Sequence, residues 1–198
     1  IADNLRRRGG PASLLISSGP ADVEGKTLEQ VAAAQKADPV DVAIAILKQR
    51  ETSVVSFNQS DADVEAFMKQ PWVVTSSDAS LGHPRYYASF ANKYATYVKQ
   101  KKTIDLRTFI AQSTAVTARM FSLEGRGELK PGAFADVIAF DPEKFAPRAD
   151  YAHPMRFSTG MRFVVVNGAL AIDNGEATGE ASGQMILHQP AGSGCPVS

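Results

Sequence analysis

The chain has 198 residues, 44% of them apolar and 8% aromatic, and its 21 basic side chains balance 21 acidic ones. This is an ordinary globular composition and excludes disorder, a collagen-like repeat or a coiled coil. Zero formal net charge with no long block of like charge removes the footprint of a nucleic-acid or anionic-membrane binder, and no run of ~18 apolar residues offers a membrane span.

Residues 1–8 read as the end of a helix closed by Gly9, Gly10 and Pro11. With no Met at the start, the sequence is expected to be the C-terminal part of a longer chain. Residues 13–17 form a short apolar run bounded by Ser18, Gly19 and Pro20, the pattern of a buried strand. A helix pair follows. Thr27 with Gln30 makes a capping box, and Asp38 with Pro39 supplies the N-cap and first position of a second helix reaching about Arg50. That second helix carries Val40, Val42, Ile44, Ile46 and Leu47 and is expected to be buried on more than one side. The β-branched run 53–57 predicts a strand, Ser60 caps a short helix through Val64, Phe67 and Met68, and residues 72–75 predict another strand. Strands alternating with helices imply a parallel sheet, in which loops leaving the carboxyl ends of strands carry the chemistry.

Helical spacing then runs from about Arg85 to Lys101, Asp105 caps a further helix, and a last helical stretch lies near residues 116–121. Beyond Gly125 the pattern turns to β. Pro131 and Gly132 fit a type II turn, residues 137–140 a strand, Asn167-Gly168 a type I′ hairpin, Asn174-Gly175 another turn and residues 185–187 a final strand. The expected division is an α/β part over 1–124, a small β part over 125–188 and a loose tail over 189–198. Cys195, alone in that tail, cannot form an internal disulfide, so the compartment, cytoplasmic or periplasmic, stays open.

Asp78, just past the run 72–75, is the sharpest candidate for chemistry, because a carboxylate there projects into the crevice where α/β proteins bind ligands. An Asp among serines after a strand is equally a natural N-cap or Asx-turn residue, and position alone does not choose. His83, Pro84, Arg85 and Tyr86 follow on the same loop and are suited to an anionic group such as a carboxylate. The stripe Tyr86, Tyr87, Phe90, Tyr94 and Tyr97 reads as core. His153 and His188 are isolated, and the sequence contains no self-contained metal cluster, nucleophile elbow, phosphate-binding glycine loop or dinucleotide fingerprint.

Several blocks occur in order: Gly10-Pro11, Gly25-Lys26-Thr27-Leu28, Pro71-Trp72-Val73-Val74 leading to Ser77-Asp78, His83-Pro84-Arg85-Tyr86 with Phe90, Arg126-Gly127-Glu128-Leu129-Lys130-Pro131-Gly132 with Ala135-Asp136 and Phe140-Asp141-Pro142, and Gly160 with Val164-Val165-Val166-Asn167-Gly168. On these blocks residues 5–187 resemble the C-terminal half of the N-acyl-D-amino-acid deacylases (D-aminoacylases), in the metal-dependent amidohydrolase superfamily. The resemblance implies an α/β fold: the last units of a (βα)8 TIM barrel over 1–124, plus the C-terminal strands of a small β-sandwich. It implies hydrolysis of the amide of an N-acyl-D-amino acid by metal-activated water, with one or two zinc ions in the full-length protein. Asp78 matches the carboxylate after the eighth strand, the general acid/base, and serves as a metal ligand only alongside ligands from an N-terminal part. Arg85 is then placed near the substrate carboxylate, with Ser77, His83 and Tyr86 beside it. The family's glycines around Ser-Asp are here Ser76 and Ala79, and its early His-x-His pair is absent. The isolated chain is therefore expected neither to bind zinc tightly nor to turn over substrate. Its partners are expected to be a small N-acyl amino acid, the N-terminal part of the same protein and, through open apolar faces, other copies of itself. A cyclic amide or dipeptide substrate and a non-catalytic subunit are the alternatives.

Overall fold

The computed structural model describes residues 1–78 and 83–186. Two compact units emerge, the first from residues 1–64, 78–86 and 149–156, the second from 65–77, 87–148 and the chain from 157 onward. α4 (Asp61–Met68) and α5 (Arg85–Lys93) run through the division.

The first unit opens with α1 (Ala2–Arg7) and a single 3-10 turn at Pro11–Ser13, followed by β1 (Leu14–Ser18). In α2 (Leu28–Gln35) the capping box forms as the sequence predicts: Thr27 Oγ1 accepts from the Gln30 N–H at 3.2 Å and Gln30 Oε1 accepts from the Thr27 N–H at 2.8 Å. Lys36 ends this helix in the left-handed conformation at φ 51°, and Asp38, accepting from the Val40 N–H at 2.8 Å, starts α3 (Pro39–Gln49). Leu14 and Ile16, two apart and so on one face of β1, meet Leu28, Val31, Ala32, Val42 and Ile46 in the core of this unit. Each of the Leu, Ile and Val side chains among them contributes about 1.5–3 kcal/mol by leaving water.

Here the structure corrects two expectations. β2 (Ser53–Ser56) pairs with β1 antiparallel, Leu14 opposite Ser56 and Ile16 opposite Val54, where the sequence pattern implied parallel strands. Two helices separate these strands, so the chain reverses three times and returns antiparallel, whereas the single helix of a βαβ crossover reverses it twice and returns it parallel. α3, expected to be enclosed on several sides, buries fully only Val42 and Ile46, while Leu47 is 55% exposed.

In the second unit α5 passes at Tyr94 into a π-helical segment, Tyr94–Gln100, so the long predicted helix widens in its last turns. Asp105 accepts from the Thr108 N–H at 2.7 Å and starts α6 (Leu106–Ser113), followed by α7 (Ala115–Met120). β3 (Val137–Phe140), β4 (Met161–Val166), β5 (Ala169–Asp173) and β6 (Glu176–Ala177) form an antiparallel sheet in that order. Asn167 and Gly168, at φ 48° and 86°, make the tight β4–β5 turn, and Asn174 and Gly175, at 48° and 90°, make the next. Tyr94, Ala91, Ile104, Phe109 and Phe145 form the core.

Residues 72–75, expected as a strand, have no ladder partner among the described residues and adopt no regular structure. Of the aromatic stripe, Tyr94 is fully buried but Tyr86 and Phe90 are exposed, because the helix offers only one side to this core. Met185 and Ile186 belong to no strand. Ala79, Leu187, His188 and the tail 189–198 with Cys195 lie outside the described residues.

Candidate active site

Asp78 takes a left-handed backbone conformation at φ 47°, one that Asp tolerates better than most side chains. His83 and Pro84 then lead into α5. The imidazole Nδ1 of His83 accepts from the Arg85 backbone N–H at 3.1 Å, and its carbonyl accepts from the Tyr86 N–H at 3.3 Å, so the histidine organises the start of the helix. Because Nδ1 is an acceptor, the neutral ring carries its proton on Nε2.

From the first position of α5, the Arg85 guanidinium Nη2 reaches Asp78 Oδ2 at 2.7 Å. The two side chains keep 40% and 63% of their surface exposed, so the pair stays accessible to a ligand. His83 titrates below its ordinary value, first because of burial and then because of the Arg85 charge, with the Asp78 charge opposing both. The structure therefore brings Asp78, His83 and Arg85 together, with Tyr86 the next residue along α5. Ser77 closes the stretch 65–77 of the other unit.

Two aromatic residues not singled out by the sequence join this group. Tyr151 packs edge-on against His83 at 5.4 Å between ring centroids and against Phe57 at 5.3 Å. Burial raises the Tyr151 phenol pKa while the Arg85 charge lowers it. No local signal marks this contact, since Tyr151 stands 68 positions after His83 (151 − 83) in the sequence. His153 is an exposed residue, and its Nδ1 lies 3.3 Å from Asp150 Oδ1.

In the second unit lies a buried polar group that the sequence reading also missed. Lys93, on α5, donates from Nζ to Thr75 Oγ1 at 2.9 Å and to Gln112 Oε1 at 2.8 Å. Burial lowers its pKa to about 8.

The chain belongs to the amidohydrolase family, whose model matches residues 6–172. It is 28% identical over 174 residues to a D-aminoacylase and 31% identical over 175 residues to an N-acyl-D-aspartate deacylase, both from Alcaligenes xylosoxydans xylosoxydans. Each alignment covers 86% of this chain, but the chain spans only 35% and 34% of those relatives. Among solved structures it is similar to an N-acyl-D-glutamate deacylase of Bordetella bronchiseptica complexed with zinc and a phosphonate inhibitor, with a TM-score of 0.74, 29% identity and coverage of 84% of this chain and 36% of that one. A D-aminoacylase described as having a binuclear metal centre gives a TM-score of 0.74 at 27% identity, covering 84% of this chain and 36% of that one. These likenesses establish an α/β amidohydrolase fold for the chain.

Zinc is held by three or four protein ligands. Among the described residues no group of three or more His, Cys, Asp or Glu could hold a metal ion, and Asp78 is a single carboxylate paired with Arg85. The described residues therefore do not form a metal site by themselves.

Proposed function

We propose that the chain is the C-terminal share of an amidohydrolase that cleaves N-acyl-D-amino acids, and that Asp78 is its general acid/base. The observation that carries this reading is the accessible Asp78–Arg85 pair at 2.7 Å, in a chain similar to three deacylases of N-acyl-D-amino acids. Residues 1–124 then correspond to the last barrel units, 125–188 to the C-terminal part of the small sandwich and 189–198 to a tail.

In this reading the Asp78 carboxylate takes a proton from water as the water oxygen bonds to the amide carbonyl carbon. The carbon–nitrogen bond then breaks, and Asp78 hands that proton to the departing nitrogen, releasing a carboxylate and a D-amino acid. Arg85 binds the substrate carboxylate, exchanging its pairing with Asp78 for the incoming anion. Ser77, His83 and Tyr86 line the approach. One or two zinc ions belong to the proposed full-length enzyme, supplying a polarised carbonyl and an acidified water; ligands beyond Asp78 come from outside the described residues. The chain alone is accordingly inactive.

The test is Asp78→Asn in the full-length protein, assayed on a panel of N-acyl-D-amino acids, cyclic amides and dipeptides. Turnover of an N-acyl-D-amino acid by the parent, lost by orders of magnitude in a folded variant, supports the reading. A near-normal rate removes Asp78 from the chemistry, and a preference for a cyclic amide or dipeptide replaces the substrate class.

A further inference from the structure

Lys93 is only 7% exposed, and among the described residues its ammonium meets two neutral oxygens and no carboxylate. An amine buried in this way costs free energy unless its hydrogen bonds repay it, and a Met or Leu would fill the same volume without that penalty. The two acceptors are placed to make it worthwhile. Thr75 lies in residues 73–77, which belong to no strand, and its hydroxyl also sits 3.2 Å from Ser113 Oγ at the end of α6. Gln112 is 2% exposed; its Nε2 donates to the carbonyls of Met68 at 2.9 Å and Gln70 at 3.3 Å, and its own carbonyl accepts from the Thr75 N–H at 3.5 Å.

We propose that Lys93 is a positioning residue whose ammonium ties Thr75 to Gln112 and so fixes the run 73–77 that leads into Asp78. A segment inside a sheet would be held by ladder hydrogen bonds on both sides. Residues 73–77 have no ladder among the described residues, and one cation with two acceptors takes over that work. The groups contacting the amine, Thr75 and Gln112, do not titrate near neutrality, and burial is the sole cause of the lowered Lys93 pKa. Raising the pH through about 8 therefore removes one donor proton from the network with no compensating charge change beside it.

The catalytic consequence rests on the proposed deacylase reading. In the full-length enzyme, Lys93→Met and Thr75→Val should each lower kcat ~10-fold or more while KM moves less than ~3-fold, since a small misplacement of a catalytic group is costly. The double variant should be no worse than ~2-fold below the poorer single one, because both remove the same contact. The alkaline limb of kcat near pH 8 should vanish in Lys93→Met. Unchanged kcat in both single variants, multiplicative effects, or a loss carried by KM would overturn the assignment. If the variants fail to fold, the unsubstituted chain still decides: amide protection over 73–77, corrected for intrinsic exchange, should fall between pH 6.5 and 9.5, and constant protection refutes the role of Lys93. A full-length protein without any amidase turnover would sink the deacylase reading alone, leaving this exchange measurement intact.

Discussion

In the proposed function, Asp78 and the substrate carboxylate compete for the one Arg85 guanidinium. The Asp78–Arg85 pair is solvent-exposed, so it adds only about 0–1 kcal/mol to stability, and its loss should leave the fold intact. Arg85→Ala in the full-length protein is therefore expected to raise KM for anionic substrates with little change in melting temperature; an unchanged KM would reduce Arg85 to a structural residue. The same charge has a signature that needs no substrate. His83 is held below the ordinary histidine value by burial and by Arg85, against the pull of Asp78. By NMR titration the His83 midpoint should lie below ~6.5, move up in Arg85→Ala and move further down in Asp78→Asn. Since its folded pKa is depressed, the neutral ring favours folding above the unfolded value, and that contribution fades as pH falls from ~6.5 toward the folded midpoint. A midpoint that falls in Arg85→Ala, or one that rises in Asp78→Asn, would contradict the geometry.

At the scale of elements, Arg126, Asp136 and Asn167-Gly168, from separate sequence blocks, converge on the small sheet. Asp136 Oδ1 accepts from the Asn167 N–H at 2.8 Å, its other oxygen pairs with Arg126, and Arg126 Nη2 donates to Asn167 Oδ1 at 2.7 Å while its guanidinium lies 4.1 Å from the Phe134 ring centroid. The Arg126, Asp136 and Asn167-Gly168 motifs are thus one lock on the β4–β5 turn. The Asn167 N–H and Arg126 hold the Asp136 carboxyl below its usual value. Asp136→Asn should cost roughly 1.5–3 kcal/mol in urea unfolding at neutral pH, and the difference from the parent should shrink as pH falls through the folded Asp136 value, below ~3.9. Gly160 is the second lock: at φ 84° its carbonyl accepts from the Asp141 N–H at 2.8 Å, and an added Cβ would lie 2.3 Å from the Phe145 backbone nitrogen. Gly160→Ala should therefore cost at least ~2–3 kcal/mol, combining positive-φ strain with a backbone clash. Caps and turns of this kind were legible because each is written within about four residues, as at Thr27, Asp38, Asp105 and Asn167. The direction of β2 and the absence of a strand at 72–75 were not, because pairing is decided by distant segments. The site divides the same way: Arg85 stands only seven positions (85 − 78) after Asp78, so their proximity is local, while Tyr151 and the Lys93 network arise only on folding.

For the whole molecule, the outstanding feature is apolar surface. Trp72, Phe67, Leu129 and Phe157 are each more than 60% exposed. In the first unit a cavity of about 420 Å³ opens among Leu5, Leu14, Ile46, Leu47 and Val54. Scattered apolar residues are normal on any surface, but large contiguous patches mark a face that another segment covers. β1 and β2 form a two-stranded sheet; residues 25–27 bond the outer edge of β1 through Ile16, and the outer edge of β2 has no ladder partner among the described residues and is open to further pairing. If the deacylase reading is right, the rest of the barrel supplies that cover. The chain expressed alone should then bind a hydrophobic dye strongly and grow in mass with concentration in light scattering, and the full-length protein should do neither. Tightly bound stoichiometric zinc or robust turnover by the isolated chain would oppose the same reading from the catalytic side. A monodisperse monomer with low dye binding would show instead that these faces are stable in water, and would favour an independent, non-catalytic module over a share of a barrel.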